Sequence, residues 1–122
     1  MKHSTGFLAL VNDAKSRVKE MDIDEYIAWQ SSGAPHVLID TREDNEWAAG
    51  HAEGALHLSK GIIERDIENQ VPDHSATLIL YCGGGFRSAL VADNLQRMGY
   101  SNCISLDGGW RAWNERNLPV SR

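Results

Sequence analysis

The sequence from Leu78 to Leu90 reads LILYCGGGFRSAL: an apolar run ends in a cysteine, three glycines follow, and a helical pattern begins. A short apolar run bounded by glycines is typical of a strand buried in a parallel sheet. In residues 88–98 the apolar side chains share one helical face, and Gly99 stands where a helix commonly ends. A strand, a loop and a helix in this order favour an α/β fold.

Strand and helix patterns alternate along the rest of the chain. Short apolar runs predict strands at residues 37–40, 55–58, 77–81 and 103–106, and a further short strand is expected at residues 19–21. Helical spacing and capping signals predict helices at residues 6–16, 22–33, 41–49, 59–68 and 88–98, and a last helix after residues 107–109. Because the strands are apolar throughout, the sequence predicts one α/β domain with an about five-stranded, mainly parallel sheet covered by helices on both faces.

Composition and charge narrow the classes of partner. The chain has 122 residues, 42% of them hydrophobic and 24% charged, which suits one globular domain. Its net charge of −5 argues against nucleic acid and anionic membranes as partners. No apolar run approaches the ~20 residues of a membrane span, and residues 7–11 lack the features of a signal peptide. With two cysteines, we expect a cytoplasmic protein with free thiols.

Three unusual stretches follow predicted strands. They are residues 40–42 (DTR), residues 82–88 (CGGGFRS) and residues 107–109 (DGG). In open parallel sheets, ligands bind beyond the carboxyl ends of the strands. We therefore expect the three stretches to meet in one pocket that contains Cys82.

The loop after Cys82 has the composition of an anion-binding site. Glycines allow successive backbone N–H groups to turn inward, and the N-terminal end of the next helix adds positive potential. Such surroundings favour the thiolate of Cys82, which is the nucleophilic form, and Arg87 supplies a fixed positive charge. The alternative is a structural one, in which Cys82 is a small buried side chain and the glycines only form a turn.

Residues 82–88 resemble the active-site loop of the rhodanese-like sulfurtransferases in their single-domain form. Residues 40–55, DTREDNEWAAGHAEGA, look like the family's upstream signature, and residues 108–113, GGWRAW, are similar to its C-terminal signature. The resemblance covers about residues 18–120. We accordingly predict a rhodanese-like domain at residues 18–122, preceded by a helical extension at residues 1–17.

The resemblance implies a sulfurtransferase that works in two steps. The Cys82 thiolate would take the outer sulfur of a small anionic donor such as thiosulfate, and a thiophilic acceptor would then remove it. The acceptor is cyanide in the assay, and a thiol or a sulfur-carrier protein in the cell. The resemblance implies no metal and no organic cofactor. The backbone that would stabilise the persulfide comes from Gly83, Gly84, Gly85, Phe86, Arg87 and Ser88.

Loop length bears on the choice among related activities. The phosphatases and arsenate reductases of the same fold have five residues between the cysteine and the arginine, whereas four separate Cys82 from Arg87 here. The shorter loop favours sulfur over a tetrahedral oxyanion. A non-catalytic binding or regulatory module is the other alternative, although such modules usually lose the cysteine that this chain keeps. The N-terminal helix is a candidate for partner docking or homodimer formation.

Some thiosulfate-using members of the family carry a basic residue inside the loop. Here the residues between Cys82 and Arg87 are uncharged, which leaves the natural donor open. Phe86 offers an apolar wall to a bulkier donor or partner, or else packs against a neighbouring helix.

Three residues of the upstream signature are candidates for supporting roles. We expect Asp40 and Arg42 to brace the pocket through hydrogen bonds and ion pairs, and Glu46 to pair with Arg87 or Arg42. The histidines lack metal-ligand spacing, and His51 is interpreted as structural. Cys103 is predicted to be inert and buried, too far from Cys82 for a disulfide. The four tryptophans are predicted to belong to the core.

Overall fold

The computed structural model describes residues 2–122. The helices are α1 Thr5–Lys15, α2 Ile23–Ser31, α3 Asp44–Ala49, α4 Ile63–Gln70, α5 Phe86–Arg97 and α6 Gly109–Glu115. The strands are β1 Lys19–Met21, β2 Val37–Asp40, β3 His51–Ala52, β4 Leu56–His57, β5 Leu78–Tyr81, β6 Cys103–Leu106 and β7 Val120–Ser121. Each element predicted from the sequence has a counterpart in these lists.

Five strands form one parallel sheet in the order β1-β6-β5-β2-β4. The central strand β5 pairs with β2 and β6, so that Leu78 lies opposite both Val37 and Cys103. The predicted α/β fold with a five-stranded parallel sheet is therefore confirmed. A separate antiparallel pair, β3 with β7, was not predicted, because strands of two residues have no readable period.

Helices cover both faces of the sheet, which explains why its inner strands are mainly apolar. Leu78 and Leu80 of β5 pack with residues of α4 and α5, whereas Ile79 and Tyr81 point to the opposite face and pack with residues of α2 and α6. All four side chains of β5 are 0% exposed. Successive side chains of a strand point to opposite faces, so a strand buried on both sides favours apolar residues at every position.

Several element boundaries follow local hydrogen bonds. The Asp22–Glu25 capping box is present, and Gly99 follows α5 with a φ of 103°. The helix predicted at residues 41–49 begins only at Asp44, because the N–H and hydroxyl of Thr41 both donate to the Tyr81 carbonyl and prolong the β2–β5 pairing. The predicted starts of α4 and α5 were also wrong, by a few residues each.

The first helix packs on its own domain. Its buried residues Val11 and Ala14 face α5, and Arg17, just beyond the helix, donates to the Asp93 carboxylate of α5 at 2.8 and 3.0 Å. Leu10 is 57% exposed on the outer side. A homodimer through this helix and a domain boundary at residues 17/18 stay predictions. None of the helices within residues 2–122 has the length and apolar character needed to cross a membrane.

The tryptophans differ from the prediction of a shared core position. Trp113 is buried at 2% exposure, but the other three are only partly buried. Trp47 stacks on His51 with ring centroids 3.4 Å apart, and Trp110 lies under the guanidinium of Arg42 at 4.5 Å. Tryptophan is large and amphipathic, so it often covers the edge of a core rather than its centre.

Candidate active site

The three stretches singled out in the sequence meet at one edge of the sheet. Cys82 directly follows β5, Asp40 ends the neighbouring strand β2, and Asp107 follows β6 on the other side. Cys82 is 1% exposed and lies at the base of a cleft of about 770 Å³. This is the carboxyl edge of the strands, where ligands bind in open α/β sheets.

The loop returns towards the sulfur of Cys82. The backbone N–H groups of Gly85 and Ser88 donate to Cys82 Sγ, with N–S distances of 3.2 and 3.4 Å. The Ser88 hydroxyl oxygen lies 3.6 Å from the same sulfur. Donors that converge on one atom at the N-terminal end of α5 stabilise negative charge on that atom. The arrangement therefore suits a thiolate or another anionic sulfur species at this position.

The carbonyl groups of the same loop are turned outward. Cys82, Gly83 and Gly84 each accept a hydrogen bond from the turn that begins α6. The donors are the N–H groups of Trp110 at 2.7 Å, Arg111 at 3.1 Å and Gly108 at 3.2 Å. Because the carbonyls are held on that side, the N–H groups remain free to face the sulfur.

Two glycines meet different steric demands in this contact. Gly85 has a φ of 103° and is the only one of the three loop glycines with a positive φ. Gly109 has a φ of 46°, and a Cβ atom there would lie 2.3 Å from the Cys82 carbonyl oxygen. Of the three loop glycines, Gly85 is thus the one whose backbone angle requires glycine, whereas a Cβ on Gly84 would meet nothing within 4 Å.

Glu46 pairs with Arg87, one of its two predicted partners. The Arg87 guanidinium donates to both carboxylate oxygens, at 2.7 and 3.2 Å. These hydrogen bonds lower the pKa of Glu46 and raise the pKa of Arg87. Both side chains line the cleft beside Cys82, so Arg87 presents its charge from a fixed position at the rim.

Asp40 and Arg42 form a buried brace beneath the cleft. Arg42 donates to both oxygens of Asp40 at 2.8–3.1 Å and to the Gly50 carbonyl at 2.7 Å. Tyr81 donates its hydroxyl to Asp40 at 2.6 Å and accepts the N–H of Ala52 at 3.0 Å. Burial opposes the charge of Arg42, but the hydrogen bonds to Asp40 and the attraction of nearby negative charge together raise its pKa. Asp40 and Arg42 do not line the cleft, so the prediction that residues 40–42 share the pocket of Cys82 is wrong, whereas their position agrees with a bracing role.

Ser105 is a site residue that the sequence reasoning missed. Its hydroxyl lies 2.8 Å from that of Ser88, and both serines are 0% exposed. Ser105 thus orients the hydroxyl that faces Cys82 Sγ. The sequence did contain a signal for this role, because Ser105 is the one polar residue in the apolar run of β6.

The remaining candidates lie away from the sulfur. His51 Nδ1 lies 3.0 Å from the Trp47 carbonyl oxygen, which agrees with a structural role. Cys103 is buried at 1% exposure, and burial raises the pKa of its thiol to about 11. Both cysteines are free. Within residues 2–122, no three His, Cys, Asp or Glu side chains lie close enough together to hold a metal ion.

Comparison with known proteins identifies the family. Residues 22–116 match the family model of the Rhodanese-like domain. The chain belongs to the rhodanese-like family. Thiosulfate sulfurtransferase GlpE of Pseudomonas entomophila is 34% identical over 98 residues, which cover 80% of this chain and 86% of that protein.

Two further proteins are similar to this chain, one in sequence and one in structure. The probable adenylyltransferase/sulfurtransferase MoeZ of Mycobacterium tuberculosis is 33% identical over 91 residues, which cover 75% of this chain but only 23% of that longer protein. A protein of unknown function and possible tyrosine phosphatase from Rhodopseudomonas palustris superposes with a TM-score of 0.82 at 26% identity, over 99% of this chain and 98% of that one.

Gly109→Ala tests the contact between α6 and the loop. A Cβ atom at this position meets backbone atoms of Cys82 and Gly83 that cannot move independently, and the positive φ adds strain. We expect the free energy of unfolding to fall by about 2–4 kcal/mol, as measured by urea denaturation. The control is Gly6→Ala in the exposed part of α1, where a Cβ meets nothing within 4 Å and helix propensity should add about 0.5–1 kcal/mol. Equal effects at the two positions would contradict the proposed contact.

Glu46→Gln tests the ion pair with Arg87 through its pH dependence. A carboxyl whose pKa is lowered on folding stabilises the protein above its unfolded pKa, and this contribution is lost as the pH falls through the folded pKa. After allowance for solvent screening, we expect a loss of about 0.5–1 kcal/mol at pH 7 that shrinks below about pH 4. Urea denaturation at a series of pH values measures it, with the exposed Glu53→Gln as control. A loss that is the same at every pH would refute the ion-pair explanation.

Ser105→Ala tests whether Ser105 acts through Ser88. We expect the alkylation of Cys82 at fixed pH to slow several-fold in Ser88→Ala and to a smaller extent in Ser105→Ala, because the hydroxyl donor to the thiolate is lost or misoriented. In the double variant, loss of Ser105 should add nothing further. If the two substitutions instead slowed alkylation by independent factors that multiply in the double variant, Ser105 would not act through Ser88.

Proposed function

We propose that the protein is a sulfurtransferase that moves a sulfane sulfur from a donor to a thiophilic acceptor through a persulfide on Cys82. The observation that carries the proposal is the convergence of the Gly85 and Ser88 N–H groups on Cys82 Sγ at the base of a cleft. The 34% identity to a thiosulfate sulfurtransferase supports the same activity.

The first step loads the enzyme. The Cys82 thiolate attacks the outer sulfur of thiosulfate, a new S–S bond forms, and the old S–S bond breaks with its electron pair leaving on sulfite. The terminal sulfur of the resulting persulfide carries the negative charge. The inward N–H groups of the loop stabilise anionic sulfur in both the thiolate and the persulfide state. Arg87, held by Glu46 at the rim, attracts the anionic donor.

The second step unloads the enzyme. A nucleophilic acceptor attacks the terminal sulfur, and the S–S electron pair returns to Cys82 as thiolate. Cyanide serves as the acceptor in the assay, and a small thiol or a sulfur-carrier protein is the cellular class that we propose. Both steps balance as written, and neither includes a metal or an organic cofactor among the reactants. We place this exchange in the cytoplasm, as the sequence predicts.

Phosphate hydrolysis is the second candidate, because the Rhodopseudomonas palustris neighbour is a possible tyrosine phosphatase. The geometry of the loop favours sulfur. Its N–H groups already contact Cys82 Sγ, and four residues between Cys82 and Arg87 leave a small ring. Arg87 is also engaged by Glu46 rather than directed freely over the loop. Cys82-dependent hydrolysis of an aryl phosphate would overturn this preference.

Intact mass after brief incubation with thiosulfate tests the proposal. We expect the reduced protein to gain one sulfur, which cyanide removes, and Cys82→Ala to gain none. Cys103→Ala is the matched control, because it removes the other buried thiol and should still load. Failure of the wild type to load from thiosulfate, mercaptopyruvate or a cysteine desulfurase would favour a non-catalytic binding module instead.

A further inference from the structure

Residues that precede the family match form one wall of the cleft over Cys82. The match begins at residue 22, yet Lys2, His3, Ser4 and Phe7 line the same cleft as Cys82. The wall is held in place because α1 packs on α5 through buried Val11 and Ala14. It is therefore an anchored part of the structure.

The wall is aromatic on the side of the loop. Phe86 lies between Cys82 and Arg87 in the sequence. Its ring centroid is 4.8 Å from that of His3, which precedes α1, and 6.3 Å from that of Phe7 within α1. His3 and Phe7 are 5.2 Å apart. The sequence left two roles open for Phe86: an apolar wall for a ligand, or packing against a helix. In the structure Phe86 packs against α1 and also lines the cleft. The three rings offer an apolar surface beside the sulfur.

Positive charge lies around these rings. Within residues 2–122, the cleft residues Lys2 and Arg111 form no ion pair with a carboxylate, whereas Arg87 is paired with Glu46. Lys15 Nζ lies 5.1 Å from the Phe86 ring centroid but is paired with Glu20, so among the cleft residues that the structure describes the unpaired cations are Lys2 and Arg111. Unpaired cations beside an apolar wall suit an anion that carries an organic body.

The size of the cleft agrees with such a ligand. Its volume of about 770 Å³ lies in the range of pockets that bind drug-sized organic molecules. Thiosulfate would occupy only the region next to Cys82 and would leave the aromatic wall uncovered. An aromatic body that extends from the sulfur would bury the faces of Phe7 and Phe86 and so gain binding energy from apolar contact.

We propose that the His3–Phe7–Phe86 wall is a donor-selecting subsite for organic thiosulfonate anions, in which the sulfane sulfur is attached to an aromatic or other apolar body. The proposal rests on the sulfurtransferase function. The Cys82 thiolate attacks the outer sulfur of R–SO₂–S⁻, the new S–S bond forms, and the S–S bond of the donor breaks. Its electron pair leaves with the sulfinate R–SO₂⁻, so that charge and atoms balance without a further reactant.

Three donors with a common acceptor test the subsite. The kcat/KM for thiocyanate formation from cyanide is measured with thiosulfate, methanethiosulfonate and benzenethiosulfonate anions. The ratio of variant to wild type for each donor cancels the intrinsic reactivity of that donor. We expect Phe7→Ala to lower kcat/KM for benzenethiosulfonate about tenfold and to change that for thiosulfate less than twofold.

Two further variants and one control sharpen the result. Phe7→Leu keeps an apolar side chain on α1 and therefore tests the subsite even if Phe7→Ala loosens the helix. We again expect a loss of kcat/KM that is selective for benzenethiosulfonate. Arg111→Gln should lower kcat/KM for all three donors to a similar extent, because they share negative charge. Leu10→Ala, on the exposed side of the same helix, should leave kcat/KM unchanged for all three donors.

The outcomes separate the subsite from the sulfurtransferase function. If the Phe7 variants lower kcat/KM equally for all three donors, or for none of them, the subsite proposal is wrong. Persulfide formation from thiosulfate would still leave the proposed function intact. If no donor loads Cys82 in the intact-mass measurement, both proposals fail. A loss confined to benzenethiosulfonate supports the subsite.

Discussion

The hydrogen bonds between the turn that begins α6 and the loop after Cys82 are the constraint on which the site depends. They fix three consecutive loop carbonyls on the side away from the cleft. The N–H groups of the loop are therefore oriented towards the sulfur before any ligand binds. Backbone dipoles that are already oriented need no reorganisation when charge develops on the sulfur. The close approach of Gly109 to Cys82 is the steric counterpart of this arrangement, since a larger residue would force the two segments apart.

A second set of contacts secures the strands that carry the loop. Asp40, Arg42 and Tyr81 connect the ends of β2 and β5 to the Gly50 turn, and all three side chains are buried. Each charge in this group has a partner, as a buried ion pair requires. The site therefore stands between two rigid supports: a backbone contact from α6 on one side and a side-chain network under β2 on the other.

The sequence was sufficient for the central features and insufficient for those that depend on contacts between distant residues. Apolar runs identified four of the five parallel strands, and the position of Cys82 after β5 placed it at the binding edge. The pairing of β3 with β7, the Ser88–Ser105 contact and the place of Phe7 beside Phe86 join residues far apart in the chain. Such contacts have no local pattern, because they follow from how the elements pack.

If Cys82 carries a persulfide, as proposed, the position of Cys103 bears on how long that persulfide persists. Cys103 lies level with Leu78, at the start of β5, whereas Cys82 follows the end of that strand. At ~3.3 Å per residue the two thiols are separated by roughly 13 Å of sheet. Within residues 2–122, the other thiol thus lies too far from Cys82 to displace a bound sulfur by forming a disulfide. Under the proposed function, a sulfur on Cys82 would leave only when an acceptor from outside the chain attacks it.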